Sequence, residues 1–339
     1  VDAEKPLLVH NGGKRMNPAS TMKLVTTYAA LELLGPAHTW KTQALADALR
    51  RDGVLAGNLY LKGSGDPGLT LERFWLLLRQ LRARGIATLS GDLVLDRSEF
   101  RLPPHDPAAF DNEPLRPYNA GPDALLTNFN SLRLTLVPEA ATRTVLAVVD
   151  TPVDEIRVDA RLQYADGACG DWREKLAVGA TGNTLSLSGS YAGSCGEKAL
   201  HVSPWPANLQ VEQLFRALWK ELGGRFGGRV RDGEAPASAR VLLTHESPPL
   251  AEAVLWLLGL ARGRVVQGRP PDRRLRRPGQ ERPPAASGAA VAVAGVPRDG
   301  QGAAGATAAT VRGCRVRFVV QPYVTGVPAA PLIGVPLGG

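Results

Sequence analysis

Residues 17–36 have the sequence NPASTMKLVTTYAALELLGP, and this stretch decides how the whole chain is interpreted. Its apolar side chains recur at helical spacing at Leu24, Tyr28, Leu31 and Leu34. Asn17 or Ser20 can supply the cap at the helix N-terminus, and Gly35-Pro36 is a typical helix end. The pattern predicts one helix that begins beside Ser20.

The start of this helix carries a candidate nucleophile and base, Ser20 and Lys23. A spacing of three places the two side chains on one face, about one turn apart. A serine hydroxyl is a weak nucleophile until a base removes its proton, and a lysine with a lowered pKa can be that base. A simpler interpretation is a capping serine beside a solvated lysine, because Ser-x-x-Lys is a common pattern.

The wider sequence distinguishes these interpretations, because five further stretches carry a family pattern. They are LKGSGDPGLT at 61–70, GDLVLDRSEF at 91–100, PLRPYNAGPDALLTNFN at 114–130, CGDWR at 169–173 and HESPPL at 245–250. With residues 17–31 they resemble the low-molecular-mass, class C penicillin-binding proteins, which are serine D-alanyl-D-alanine carboxypeptidases of the penicillin-binding protein 4 type. The resemblance covers about residues 1–254.

The resemblance implies an α/β (α+β) fold: a penicillin-recognising serine transpeptidase or β-lactamase-like domain, interrupted by a large, mostly β insertion. Residues 1–40 and 237–260 would form an incomplete catalytic domain, and residues 41–236 would form the insertion. Residues 261–339 are a tail rich in Arg, Ala, Gly, Pro and Val, in which neither helix nor strand periodicity is visible. We expect this tail to be irregular.

The same resemblance implies the chemistry. Ser20 would be the acylated nucleophile and Lys23 its general base, with peptidoglycan stem peptides as substrates. Endopeptidase activity beside carboxypeptidase activity stays open. β-Lactam antibiotics would be acylating inhibitors, and neither a cofactor nor a metal is expected. Asp96 matches an acid of the inserted domain near the amino-bearing side chain of the substrate; the alternative is an exposed carboxylate at a strand end.

The three cysteines, Cys169, Cys195 and Cys314, are too few for a disulfide scaffold and lack metal-ligand spacing. Cys169 and Cys195 are either a disulfide pair or two buried thiols. The resemblance favours the disulfide and an exported, periplasmic protein. No leader precedes Val1, so we expect that a signal peptide has been removed or that the N-terminus is missing.

The formal net charge of +8 is concentrated in the tail. Residues 261–339 contain twelve Arg, no Lys and three acidic residues, a surplus of nine positive charges, so residues 1–260 carry a net charge of −1. This distribution excludes a uniformly basic protein, and no nucleic-acid partner is expected. The alternative is a protein that binds nucleic acid through the Arg-rich tail.

Two motifs of the family are absent. The chain contains neither Ser-x-Asn, which relays the leaving-group proton, nor Lys-Thr-Gly, which binds the substrate carboxylate. Ala261-Arg262-Gly263 stands where the first motif belongs, and Val324-Thr325-Gly326 stands near the place of the second. We hypothesise a change of reading frame near residue 255; the alternative is a divergent or disordered tail. Either way we expect low solubility and little turnover, and an inactive relative that at most binds cell-wall peptide is the alternative function.

Overall fold

The structure is a computed structural model that describes residues 22–257, 308–311 and 314–317. Its helices are α1 Met22–Leu34, α2 Leu71–Ala83, α3 Ala207–Glu221 and α4 Leu250–Leu257. Its strands are β1 Lys41–Ala46, β2 Arg50–Arg51, β3 Val54–Leu55, β4 Leu59–Lys62, β5 Thr88–Leu89, β6 Leu93–Asp96, β7 Leu132–Glu139, β8 Thr144–Val149, β9 Arg157–Ala165, β10 Leu176–Thr181, β11 Thr184–Ala192, β12 Lys198–Val202, β13 Arg225–Phe226, β14 Val230–Asp232, β15 Arg240–Glu246, β16 Ala308–Val311 and β17 Cys314–Arg317.

The largest sheet within the described residues is a five-stranded mixed sheet with the order β14-β6-β4-β1-β15. β1 runs antiparallel to β4 and β15, whereas β4, β6 and β14 are mutually parallel. α2 and α3 share a hydrophobic core with this sheet, and both helices present apolar residues at helical spacing. Their fully buried aromatic side chains are Phe74, Phe215 and Trp219.

Strands β7 to β12, between residues 132 and 202, form a β-sandwich. The sheet β10-β11-β9 packs on the sheet β12-β7-β8, and inward-facing residues of both sheets share one core. β7 shows the alternation expected of a half-buried strand, since Leu132, Leu134 and Leu136 are buried while Arg133 is exposed. A disulfide joins Cys169 and Cys195 beside this core.

α1 packs against α4 through a small cluster of buried residues, Ala30, Leu250 and Val254. Leu31 and Leu34, predicted from the helical spacing, lie partly buried against this cluster. Leu24 and Tyr28 belong to the same pattern, but each is 60% exposed. The spacing of apolar residues predicts that α1 is a helix. Which of the apolar residues of α1 are buried depends on where α4 packs against it.

The predicted domain boundaries at residues 40 and 236 fall beside two adjacent strands. β1 follows the first boundary, β15 follows the second, and Lys41 pairs with Glu246 at the start of their antiparallel ladder. The strands that follow the two boundaries are thus neighbours in one sheet. The boundaries themselves stay a prediction.

The tail was expected to be irregular, and two of its segments are not. β16 and β17 pair as an antiparallel ladder, with Ala308 opposite Arg317 and Val311 opposite Cys314. Only Arg312 and Gly313 separate the two strands in sequence, a spacing typical of β-hairpins. The rest of the predicted tail, with the two positions discussed for the missing motifs, lies outside the described residues.

Candidate active site

Lys23 lies in the first described turn of α1 and is partly buried. Burial lowers the pKa of its ammonium group, because desolvation penalises the charged form. The Lys23 carbonyl accepts a hydrogen bond from Thr27 Oγ1 at 2.7 Å, which ties the first turn to the second. A lowered pKa increases the fraction of neutral amine at a given pH, and a general base must be neutral. Ser20 lies outside the described residues, three positions before Lys23 in the sequence.

The HESPPL stretch connects β15 to α4 and is fastened to the segment that follows α1. The Trp40 N–H donates to Ser247 Oγ, and the Ser247 N–H donates to the Trp40 carbonyl, both at 2.9 Å. The Leu250 N–H donates to the His38 carbonyl at 2.8 Å. These hydrogen bonds join the start of α4 and the residues before it to the segment that follows α1.

Asp96 is buried at the end of β6, with 1% of its surface exposed. Its Oδ1 accepts hydrogen bonds from the Ser98 N–H at 3.2 Å and the Ser98 hydroxyl at 2.6 Å. Its Oδ2 accepts one from the Ala235 N–H at 2.9 Å and lies 3.9 Å from Lys62 Nζ. The alternative of an exposed strand-end carboxylate is wrong, because the returning segment near Ala235 covers the carboxylate.

Glu99 lies beside Asp96 and Lys62 and is only partly buried. The pKa of its carboxyl is raised, mainly because burial disfavours the charged form. The Lys62 ammonium lowers the pKa in part, and the Asp96 carboxylate raises it further. Two carboxylates and one ammonium therefore meet at the end of β4 and β6, where Lys62 pairs with Asp96 in the parallel ladder. The sequence resemblance pointed to Asp96 but not to Lys62 or Glu99.

The loop after β4 closes against Phe100. Gly65 has φ +87°, a conformation that favours glycine, and a Cβ there would lie 2.4 Å from Phe100 Cζ. The preceding residue, Ser64, accepts a hydrogen bond from the Lys41 N–H at 2.9 Å. The glycine thus permits the aromatic ring to lie directly on the loop that begins at Lys62.

Asp66, in the same loop, is a buried titratable group that sequence reasoning missed. It is 3% exposed; its Oδ1 accepts the Gly68 N–H at 2.7 Å, and its Oδ2 has no hydrogen-bond partner among the described residues. Burial raises its pKa to about 6, although the Gly68 bond and the charge of Arg73 lower it. His245 on β15 has a lowered pKa because of burial and the charge of Arg73. The Gly-Asp-Pro-Gly run was the sequence signal for this loop.

We predict that Asp66→Asn removes a pH dependence of stability. The pKa of Asp66 is raised from 3.8 to about 6 in the folded chain, so its favourable contribution is complete below pH 3.8 and is lost as the pH rises through 6. The loss amounts to about 3 kcal/mol at neutral pH, from about 1.4 kcal/mol per pKa unit. Urea unfolding from pH 4 to 8 measures it: the wild-type free energy should fall across this range relative to that of Asp66→Asn.

Asp154→Asn is the matched control, because Asp154 is exposed. The difference in unfolding free energy between the wild type and this control should stay constant with pH. If Asp66→Asn showed the same constant difference, the raised pKa of Asp66 would be refuted.

The disulfide and the charged residues near Lys62 belong to different parts of the structure. Cys195 is buried in the sandwich core, whereas Asp96 ends a strand of the five-stranded sheet.

No group of three or more His, Cys, Asp or Glu suited to a metal ion occurs within the described residues. Among the helices of that same part of the chain, none has the length and apolarity needed to cross a bilayer.

Comparison with known proteins gives one family match and several relatives. The sequence model of the D-Ala-D-Ala carboxypeptidase 3 (S13) family matches residues 1–258. The chain is 26% identical over 243 residues to the D-alanyl-D-alanine carboxypeptidase DacB of Haemophilus influenzae, covering 72% of this chain and 51% of the relative. It is 30% identical over 262 residues to a D-alanyl-D-alanine carboxypeptidase of an Actinomadura species, covering 74% and 48%.

Solved structures agree with the sequence matches. The crystal structure of penicillin binding protein 4 (dacB) from Haemophilus influenzae has a TM-score of 0.61 at 27% identity, covering 73% of this chain and 55% of that one. The same protein complexed with a novel β-lactam has a TM-score of 0.55 at 25% identity, covering 73% and 52%. The chain spans about half the length of the relatives it matches. The family match ends at residue 258, close to residue 254, where the sequence resemblance ends.

Proposed function

Because this chain belongs to the D-Ala-D-Ala carboxypeptidase 3 (S13) family, we propose that it is a serine peptidase that attacks the D-alanyl-D-alanine end of peptidoglycan stem peptides through Ser20. The observation that carries the proposal is the partly buried Lys23 in the first described turn of α1, whose ammonium pKa is lowered and which follows Ser20 by three residues in the sequence. Endopeptidase activity on cross-linked stems is the same chemistry on a longer substrate.

In the proposed step the neutral Lys23 amine accepts the Ser20 hydroxyl proton while Oγ attacks the carbonyl carbon of the terminal peptide bond. The tetrahedral intermediate collapses as its C–N bond breaks, and the proton taken up by Lys23 passes to the departing amine of D-alanine. An acyl-serine ester remains on Ser20. Attack of water on that ester releases the shortened peptide and restores the Ser20 hydroxyl. A β-lactam would react at the same hydroxyl, because opening of its ring also forms an acyl-serine.

Asp96 enters this proposal as a positioning residue for the substrate's amino-bearing side chain. Asp96 is buried and hydrogen-bonded to Ser98 and Ala235, so a ligand would not contact its carboxylate directly. Asp96 would instead act on a ligand by positioning Lys62 and the partly exposed Glu99. We include a periplasmic location in the proposal, since the substrate is the cell wall and the Cys169–Cys195 disulfide persists in oxidising compartments.

A second candidate function rests on the absent Ser-x-Asn and Lys-Thr-Gly motifs. A chain without them lacks a proton relay to the leaving group and a cation for the substrate carboxylate. Such a chain could hold cell-wall peptide without turning it over. Acylation by a penicillin distinguishes the two functions, because it needs Ser20 and its base but not release of a peptide.

A fluorescent penicillin tests the proposal. We expect one covalently labelled band that survives denaturation in the purified chain, and no label in the Ser20→Ala variant. Ser238→Ala, a serine in the segment before β15, is the matched control and should label like the wild type. Labelling that persists in Ser20→Ala, or its absence from the folded wild-type chain, would contradict an acyl-serine at Ser20.

A further inference from the structure

Arg73 lies in the first turn of α2, where its charge does not favour the helix. The dipole of a helix favours negative charge at the N-terminus, so a cation in the first turn is mildly unfavourable. Arg73 is nevertheless partly buried, and its Nη1 donates a hydrogen bond to the Gly68 carbonyl at 3.1 Å. This bond joins the side chain to the loop that precedes α2 rather than to the helix itself.

Residues 66–70 form a tight turn, which we call the Gly68 turn. The Gly68 N–H donates to Asp66 Oδ1 at 2.7 Å, and the Thr70 N–H donates to the Gly68 carbonyl, also at 2.7 Å. The Gly68 carbonyl therefore accepts hydrogen bonds from both Thr70 and Arg73. Burial raises the pKa of Asp66, and the charge of Arg73 partly offsets this rise. Arg73 thus acts on both polar ends of the turn.

The Gly68 turn lies against Pro248, in the segment between β15 and α4. A Cβ added to Gly68 would lie 3.4 Å from Pro248 Cδ and 2.6 Å from Arg73 Nη1. The proline ring and the guanidinium therefore both pack where Gly68 lacks a side chain. The charge of Arg73 also reaches His245, three residues before Pro248. Burial lowers the pKa of His245, and Arg73 lowers it further.

The residues after Pro248 contact both α1 and the segment that follows it. The Ala251 N–H donates to the Pro36 carbonyl at 3.0 Å, in addition to the hydrogen bonds described for the HESPPL stretch. Leu250 packs with Ala30 of α1 in the cluster that joins the two helices. A continuous series of contacts therefore runs from the Gly68 turn to the helix that carries the candidate base.

We propose that Arg73 is a positioning residue for the acylation step. It holds the Gly68 turn against Pro248, and so sets the position of the start of α4 and, through the contact between α4 and α1, that of Lys23. The proposal rests on the proposed function, because it assigns Arg73 an effect on the reaction of Ser20. Misplacing a reacting group by about 1 Å can lower a rate about a hundredfold, so a residue remote from the chemistry can control it.

Gly68→Ala and Arg73→Met disturb this arrangement in two different ways. The φ of Gly68 is not positive, so alanine is compatible with the backbone there, and its Cβ displaces the Arg73 guanidinium. Arg73→Met keeps an apolar side chain and removes the donor and the charge. Gly227→Ala is the matched control for the first variant, because a Cβ at Gly227 meets no atom within 4 Å. Arg79→Met, at an exposed position of α2, is the control for the second.

Amide hydrogen exchange tests the position of the segment without any reaction. In both variants we expect exchange about tenfold faster or more at the N–H groups of Trp40, Ser247 and Leu250, because their hydrogen bonds depend on where α4 begins. Exchange in β7 of the sandwich should stay at the wild-type rate, and both controls should exchange like the wild type throughout.

Labelling by the fluorescent penicillin tests the consequence for the reaction. The labelling rate at saturating penicillin should fall about ten- to a hundredfold in Gly68→Ala and Arg73→Met, while the half-saturating concentration changes by less than about twofold. Arg73→Lys keeps the charge and a donor, without the geometry of the guanidinium, and should label about threefold faster than Arg73→Met. Both controls should label like the wild type.

Circular dichroism identifies a variant that fails to fold, and the other variant then decides. Wild-type exchange at the three N–H groups in a folded variant, or an equal increase in β7, would overturn the proposal. A wild-type labelling rate in a variant with faster local exchange would overturn it too, as would an Arg73→Lys variant no faster than Arg73→Met. Absence of label from the wild-type chain refutes the proposed function and, with it, any effect on acylation. A labelled wild type with equally labelled variants refutes only the role of Arg73.

Discussion

Replacing Lys23 by methionine should slow acylation by a fluorescent penicillin about a thousandfold or more. Methionine keeps the length and apolar contacts of the lysine stem but cannot accept a proton, so the Ser20 hydroxyl loses its proposed base. Removing one member of a nucleophile and base pair commonly costs a factor of a thousand to a million in rate. The measurement is the rate of appearance of labelled protein at a fixed penicillin concentration.

The pH dependence of the wild-type rate distinguishes a base from a merely structural lysine. Burial lowers the pKa of Lys23, and the reactive form is the neutral amine. The acylation rate should therefore rise with pH and level off below pH 10.5, the ordinary pKa of lysine. In Lys23→Met this rise should disappear. Lys41→Met is the matched control, since Lys41 is more than half exposed in its ion pair with Glu246, and it should keep both rate and profile. A folded Lys23→Met that labels at the wild-type rate would remove Lys23 from the mechanism.

Removing the disulfide should lower the free energy of unfolding by about 3.5 kcal/mol. The bond closes a segment with a sequence separation of 26 residues, and the loop-entropy relation gives that magnitude for a loop of this length. Its position adds to the effect, because Cys195 is buried with Tyr191 and Leu200 in the core that joins the two sheets of the sandwich. The variant Cys169→Ala/Cys195→Ala leaves no buried polar group behind.

Urea unfolding monitored by circular dichroism measures this loss. Cys314→Ala is the control: it removes the third cysteine without touching the bond and should unfold like the wild type. Dithiothreitol should destabilise the wild type but not the double variant. Equal stability of the double variant and Cys314→Ala, with and without reductant, would contradict a stabilising disulfide.

Local sequence patterns were sufficient for several elements of the insertion. α2 and α3 follow from apolar residues at helical spacing, because each helix buries one stripe on the sheet. The strands β7 and β8 follow from the alternation of buried and more exposed residues, whereas β4 and β6 are short apolar runs buried along nearly their whole length. The Ser-x-x-Lys spacing of Ser20 and Lys23 was also visible in the sequence, since it depends on only four consecutive residues.

The environment of the charged residues was not visible in the sequence. Asp96 is buried beside Ala235, 139 residues later, which donates a backbone N–H to it, and one oxygen of the buried Asp66 has no hydrogen-bond partner in the part of the chain that the structure describes. Both effects depend on segments that are distant in sequence and meet only in the folded chain.

The family motifs, the helix that carries Lys23 and the periodic elements could be predicted from the sequence, because each depends on residues a few positions apart. Which carboxylates are buried, and the pairing of β1 with β15 in one sheet, depend on the folded chain. The physical reason is that burial and hydrogen-bond satisfaction are properties of non-local contacts, and no local pattern encodes which distant backbone N–H will reach a given side chain.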